Sequence, residues 1–242
     1  MIEIRNEAER AEILLYGDIG EDMWGEGNRA DDFAGQLSEL SPKPLDIRID
    51  SCGGDVYEAF AMCSAIQRYE GETTAYIDGL AASAASYIAV VCDRVVMNDY
   101  AFLMIHNAWT VTAGNADHLE QTAHRLRCID RTIGAIYEKR SDFSEDEIRQ
   151  MMDAETWLTA DECLAHGFCQ TVYETEERMA AHIDPDAAAK FRHVPTSVEV
   201  RGEAEEPPIS HSENTMDEKV EEPVASYLVI DGQLIERGTE NA

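Results

Sequence analysis

The chain has 242 residues and a formal charge of −30, which leaves room for one substantial α/β domain with an appendage and argues against nucleic acid or an anionic membrane as partner, since phosphate would repel it. Six cysteines (Cys52, Cys63, Cys92, Cys128, Cys163 and Cys169) form no Cys-x-x-Cys pair, so no zinc or redox motif is indicated and the thiols read as reduced. The first seven residues carry neither the basic nor the apolar region of a leader, and the longest apolar stretch, near 80–92, is short and broken by serines, so a cytoplasmic protein without a membrane-spanning helix is expected.

Glu12–Tyr16 reads as an opening strand that stops at Gly17-Asp18-Ile19-Gly20. Pro44–Asp50 predicts a second strand, breaking into Ser51-Cys52-Gly53-Gly54; paired glycines after a strand let the backbone turn freely and approach a ligand closely. Val56, Ala59, Phe60, Cys63 and Ile66 recur at helical spacing and predict a helix over 56–69. Thr73–Asp78 is strand-like and leads into Gly79-Leu80-Ala81-Ala82-Ser83-Ala84-Ala85-Ser86, where small residues crowd one serine before a short apolar helix. Such a turn suits a serine nucleophile: small neighbours admit a substrate carbonyl, and a helix start presents N–H groups to an oxyanion. A close-packed Ala/Ser turn within a core is the plainer alternative. Arg94–Met97 and Ala101–His106 are further strands. The second ends on Met104-Ile105-His106, whose imidazole titrates near neutrality as a general base must. Strand and helix alternate in the rhythm of an α/β fold with a parallel or mixed sheet.

Gly114-Asn115 breaks the chain, and Leu119, Thr122, Leu126, Ile129, Ile133 and Ile136 then repeat at spacings of three and four. They predict a long amphipathic helix over 116–139, which by pattern alone lies on its own core. The acids Asp153, Glu155, Asp161 and Glu162 follow within Met152–Glu162. Beyond Tyr173 the character changes: residues 174–242 hold 17 Asp plus Glu against 6 Lys plus Arg, a net of −11. Low hydrophobicity with high like charge predicts a mostly disordered acidic tail. Within it, 227–235 reads as two short strands around Asp231-Gly232, a weak local hairpin or a docking strand for a neighbour's sheet.

Four segments in this order, Ile47–Val56, Gly79–Ser86, Met104–His106 and Met152–Glu162, resemble the proteolytic subunit of the Clp protease family, and most closely its phage-type, head-maturation branch. The resemblance runs from about residue 13 to about residue 172. It implies a crotonase-like, ClpP-type β/α repeat fold in a protease domain over 1–173, with 116–139 projecting as a handle and 107–114 lining a substrate channel. Ser83 matches the nucleophile of Gly-x-Ala-Ala-Ser, and His106 the base of Met-Ile-His. Glu155, before Thr156-Trp157, matches the position where the family pattern has an aspartate; it is longer by one methylene, and Asp153 is held in reserve. The resemblance puts the oxyanion hole at the backbone N–H groups of Gly54 and Ala84. Cys52 replaces the family's proline beside it, which loosens the loop without removing a donor and exposes one thiol to reagents.

The implied activity is that of a serine endopeptidase, ATP-independent or externally gated, working through an acyl-enzyme on protein and peptide substrates with no metal or organic cofactor. The implied assembly is a homo-oligomeric ring, stacked in many relatives. The phage-type branch points to head maturation on scaffold and capsid proteins. Two alternatives remain open: a housekeeping degradative peptidase gated by an unfoldase ATPase, and a catalytically silent, ring-forming assembly subunit.

Overall fold

The computed structural model describes residues 3–6, 9–21, 27–40, 42–174, 182–200, 227–230 and 233–236. Parallel strands flanked by helices are buried on both faces and must be apolar along most of their length. Strands β2 (Ala11–Tyr16), β3 (Leu45–Ser51), β4 (Thr73–Ala82) and β5 (Arg94–Asn98) meet that demand. They pair in parallel in that order, with β1 (Glu3–Asn6) antiparallel at one edge. Ile13, Leu15, Ile47, Ile49 and Ile77 are wholly excluded from water at the centre. Helices α1 (Ala30–Glu39) and α2 (Val56–Arg68) form the connections. α2 starts where expected because Asp55 caps it, accepting from the N–H groups of Tyr57 and Glu58.

β4 runs longer than the expected strand, and its length positions the site. Residues 74–77 pair with β5, whereas 80–82 pair with β6 (Phe102–Ile105). The divergence coincides with a register shift against β3: Ile49 pairs with Ile77 but Ser51 with Ala81, so the extra residues lie in β4. There Asp50 Oδ1 accepts from the N–H of Leu80 at 3.0 Å. A side chain at Gly79 would put its Cβ 2.9 Å from that same oxygen, so the Asp50 carboxylate would have to shift. Past the bend Ala82 lies opposite Met104, which brings the residue after β4 beside the residue after β6. β7 (Thr156–Thr159) closes this edge antiparallel to β6, and β8 (Thr171–Tyr173) extends the other edge from β5.

α3 (Ala84–Val91) is apolar all round, as a helix surrounded by protein must be, and Ala84–Val90 are buried. α4 (Ala116–Arg140) is different: Ile133 and Tyr137 anchor its C-terminal half, while residues 116–121 are exposed without exception. Its first turn and a half therefore stands clear of the core, and Thr122 is the first buried residue along it. α5 (Glu145–Ala154) and α6 (Ala160–Ala165) each open on a reciprocal capping box, Ser144 with Glu147 and Thr159 with Glu162. No helix among the described residues is long and apolar enough to cross a membrane.

Residues 182–200 fall in the stretch that composition reads as tail, yet they are folded. β9 (His182–Ile183) pairs in parallel with β10 (Glu199–Val200), and α7 (Pro185–Ala188) starts on an Asp184 cap. Ile183, Ala187 and Val198 bury themselves against Leu80, Ala82, Phe102 and Met104, a second core under the ends of β4 and β6. Apolar contact of this kind offsets the ordering entropy that the surrounding acidic composition could not. Most of the remaining expected tail lies outside the described residues. A separate unit, 205–242, contains β11 (Tyr227–Ile230) paired antiparallel with β12 (Gln233–Glu236), a hairpin whose connecting residues 231–232 also lie outside them.

Candidate active site

Ser83 occupies the turn between β4 and α3 with φ 51° and ψ −120°, a region in which an L-residue is strained. The surroundings hold it there. Its N–H donates to Met104 O at 3.0 Å, and its carbonyl accepts from the N–H (3.0 Å) and the hydroxyl (2.6 Å) of Ser86. The Ser86 hydroxyl is itself 2.6 Å from the buried Tyr137 hydroxyl on α4. The serine side chain is thereby presented at the head of a helix rather than folded into the core.

His106, one residue past β6, lies with Nε2 2.8 Å from Ser83 Oγ. The ring is 8 % exposed. Burial lowers its pKa below the usual 6.5; the nearby Glu155 carboxylate opposes the shift and the Arg192 cation reinforces it. The imidazole thus stays neutral, and able to accept a proton, to lower pH than a solvated one.

Glu155 ends α5 in the left-handed region (φ 56°, ψ 81°) and turns its side chain inward, where 2 % of it is exposed. Its Oε2 is 4.0 Å from His106 Nδ1, a charge contact too long for a hydrogen bond. Oε1 accepts from the backbone N–H groups of Arg192 and His193, both at 2.7 Å. Burial alone would raise this carboxyl, but those two N–H groups, followed by His106 and Arg192, outweigh it and the pKa is lowered. Asp153 does not join the cluster. The chain is helical there, and the exposed Asp153 accepts from Asn107 Nδ2 at 2.7 Å.

The glycine pair packs directly on the serine turn. A Cβ on Gly53 would fall 2.7 Å from Ala82 O and 2.8 Å from Ala84 N. At Gly54, φ is +151°, and a Cβ would fall 2.0 Å from Ile19 O, so neither position admits a side chain. Ile19 is bonded through Gly53 O and the Asp55 N–H, each at 2.9 Å. In a parallel ladder this points the intervening Gly54 N–H to the opposite side. The Ala84 N–H, first in α3, has by its position no acceptor within the helix. Cys52 beside them is partly buried and lines the cleft described below; desolvation followed by the charge of Asp18 pushes its thiol up to about 12. The raised pKa lowers its thiolate fraction near neutral pH.

Ser83, His106 and Gly54 line an open cleft of about 580 Å³, whose other walls include Trp109, Leu126 and Ile129. The loop 107–114 runs along it, pinned by the Ala108 N–H donating to Asp130 on α4 at 2.8 Å. Trp109 is 57 % exposed and Val111 88 %, apolar surface suited to an extended peptide. Lys190 and Phe191, from the segment assigned by composition to the tail, also border the cleft. No sequence motif points to them; the only local signal is the cluster Ile183, Ala187, Phe191, Val194 and Val198.

The Clp protease family model matches residues 9–176. Similar curated proteins include an ATP-dependent Clp protease proteolytic subunit from Chlorella vulgaris, 28 % identical over 152 residues that cover 59 % of this chain and 76 % of the relative. Another, from Bacteroides fragilis, is 27 % identical over 139 residues, 56 % of this chain and 67 % of the relative. Among solved structures, a ClpP1 point mutant from Listeria monocytogenes shares the fold with a TM-score of 0.58 at 23 % identity, over 68 % of this chain and 92 % of that one. With a match spanning more than half its length, in a fold of the same kind, the chain belongs to the Clp protease family.

Proposed function

We propose that this chain is a serine endopeptidase that cleaves protein substrates through an acyl-enzyme on Ser83. The observation that carries the reading is the 2.8 Å approach of His106 Nε2 to Ser83 Oγ at the floor of an open cleft. In the mechanism, the Ser83 hydroxyl attacks a peptide carbonyl while His106 Nε2 takes its proton. The N–H groups of Gly54 and Ala84 receive the oxyanion. His106 returns the proton to the leaving amine as the C–N bond breaks, and water repeats the sequence on the ester. Glu155 holds the imidazole with Nδ1 protonated and stabilises the imidazolium, once the 4.0 Å gap shortens in the loaded site.

The chain works, on this reading, as a homo-oligomeric ring, with the exposed opening turns of α4 as the contact between rings. The sequence resemblance favours head maturation on scaffold and capsid proteins. Its relatives' names, ATP-dependent Clp protease proteolytic subunits, favour instead a degradative peptidase gated by an ATPase unfoldase. Incubation with a fluorophosphonate, followed by mass spectrometry, tests the chemistry: one adduct on Ser83, lost in Ser83→Ala, is expected. An unlabelled wild type would move the chain to the silent assembly subunit. Intact mass separates the two biological roles: a wild type shortened within 174–242 beside a full-length Ser83→Ala supports maturation. ATP-dependent loss of a folded substrate in the presence of an unfoldase supports gated degradation.

A further inference from the structure

The acid of this site is held by residues outside the stretch that matches the family. Residues 182–200 lie beyond 9–176, and they cross Glu155 closely. Consecutive amides of Arg192 and His193 donate to a single carboxylate oxygen, Oε1, at 2.7 Å each. The Arg192 guanidinium donates from Nη2 to the Asp153 carbonyl at 3.0 Å and holds Nε 3.6 Å from Oε2. The Phe191 ring stands 5.9 Å from the His106 ring and 5.4 Å, edge-on, from Trp157. Lys190 reaches Asp18 at 3.4 Å. The segment is anchored independently of these contacts, through Ile183, Ala187 and Val198 in the second core.

We propose that residues 182–200 form a positioning strap for the catalytic set, in which the amides of Arg192 and His193 fix Glu155 so that Oε2 faces His106. The proposal rests on Ser83 being the nucleophile. Its physical motive is the length of the glutamate. One more methylene than aspartate gives the carboxylate freedom to swing away from the imidazole, and two donors on the far oxygen remove that freedom while keeping the group ionised. The strap also shields the acid–imidazole pair from water: Glu155 and His106 are buried, with the Phe191 ring beside the imidazole. Arg192 and His193 are positioning residues; neither touches the reacting atoms.

The test uses the full-length chain and follows the rate of fluorophosphonate labelling of Ser83 against pH, with thermal melting of each variant alongside. His193→Pro deletes one donor, and labelling is expected to slow roughly tenfold or more, the scale of one hydrogen bond to a charged group. Arg192→Gln and Arg192→Lys form the second arm. Among the described residues the ionised side chains that act on His106 are Glu155 and Arg192, with the neutral Ser83 hydroxyl on Nε2. Removing the Arg192 cation makes the imidazolium easier to form, so in Arg192→Gln the acid limb of the labelling profile moves to higher pH. In Arg192→Lys it stays where the wild type has it. A strap with a purely structural role would change the amplitude of labelling and leave the limb in place. If His193→Pro melts below the wild type, the Arg192 pair decides alone. A wild type that labels, with His193→Pro equal or faster and no limb shift in Arg192→Gln, overturns the strap and leaves the peptidase reading standing. A wild type that never labels removes the peptidase reading first, and this inference with it.

Discussion

A glutamate in place of an aspartate adds one methylene between backbone and carboxylate, and the backbone of Glu155 absorbs the extra reach. Its φ of 56° turns the side chain back from the end of α5 toward the imidazole, at a cost of order 1–3 kcal/mol that the surrounding packing must cover. Asp153, helical and bonded to Asn107, has no such turn. Glu155→Ala is therefore expected to lower kcat by on the order of 10³–10⁴-fold, the scale seen when a triad acid is removed. Asp153→Ala should change it by about twofold, as for an ordinary surface position. The opposite ranking in a peptide-hydrolysis assay would unseat the assignment. The pH profile carries a second, independent expectation. Burial lowers the His106 pKa, so the neutral base persists below 6.5 and the acid limb of kcat/KM should lie under that value. Glu155→Gln removes the one charge that favours the imidazolium, so its limb should move lower still even as the rate falls; a limb that moved upward would mean that Glu155 is not coupled to His106. For the oxyanion hole, Gly54→Pro is not a clean probe, because proline fixes φ near −65° where the chain needs +151°. An amide-to-ester replacement that deletes only the Gly54 N–H should cost about 2.7–4 kcal/mol in transition-state stabilisation.

At the scale of elements, what could be read from the chain depended on how local the signal was. The strands expected at 12–16, 44–50 and 94–97 and the helices at 56–69 and 116–139 announce themselves through periodicity and caps, and the structure has them within a residue or two. His106 was legible because it closes a predicted strand, and Ser83 because small residues crowd it in the turn before a short apolar helix. The extension of β4 to Ala82 was not, since the strand carries extra residues at 78–80 relative to β3, an irregularity that interrupts its pairing and reads locally as a strand end at Asp78. Helices α5 and α6 are absent from the expected elements although Ser144-x-x-Glu147 and Thr159-x-x-Glu162 are readable N-terminal signatures. The strap was hidden for another reason. Its apolar residues are diluted by the acids around them when composition is averaged from 174 to 242, and their burial needs partners far away in the chain, at Leu80, Phe102 and Met104. α4 shows the converse, an apolar stripe that its own core does not use in full. Leu119 is 44 % exposed in the opening turns, 116–121, which are exposed throughout. If those turns join two rings, Leu119→Glu should reduce the mass seen by light scattering while the monomer's melting temperature stays unchanged. An unaltered mass would put the contact elsewhere.

For the whole molecule, two electrostatic effects act in opposite directions as pH falls, and salt can separate them. A formal charge of −30 opposes compaction by self-repulsion, which weakens as groups take up protons. The site acts the other way. His106 is held neutral in the fold, with a pKa below its usual 6.5, and Glu155 is held ionised, below its usual 4.5. In each case the unfolded chain binds a proton that the folded one refuses, so stability is complete above the unfolded pKa and is lost as pH falls toward the folded value. Self-repulsion is long-range and is screened: the Debye length shrinks from about 30 Å at 0.01 M to about 8 Å at 0.15 M salt. The buried groups are short-range and largely beyond the reach of salt. At pH 7.5 the melting temperature should therefore rise with ionic strength. At 0.3 M salt, where repulsion is muted, it should fall as pH is lowered from 6.5, through the loss of the His106 contribution, and on below 4.5, and Glu155→Gln should flatten the part of that fall below 4.5. A melting temperature that rose on acidification at high salt would mean that the charge of the whole chain, and not the site, governs its stability in acid.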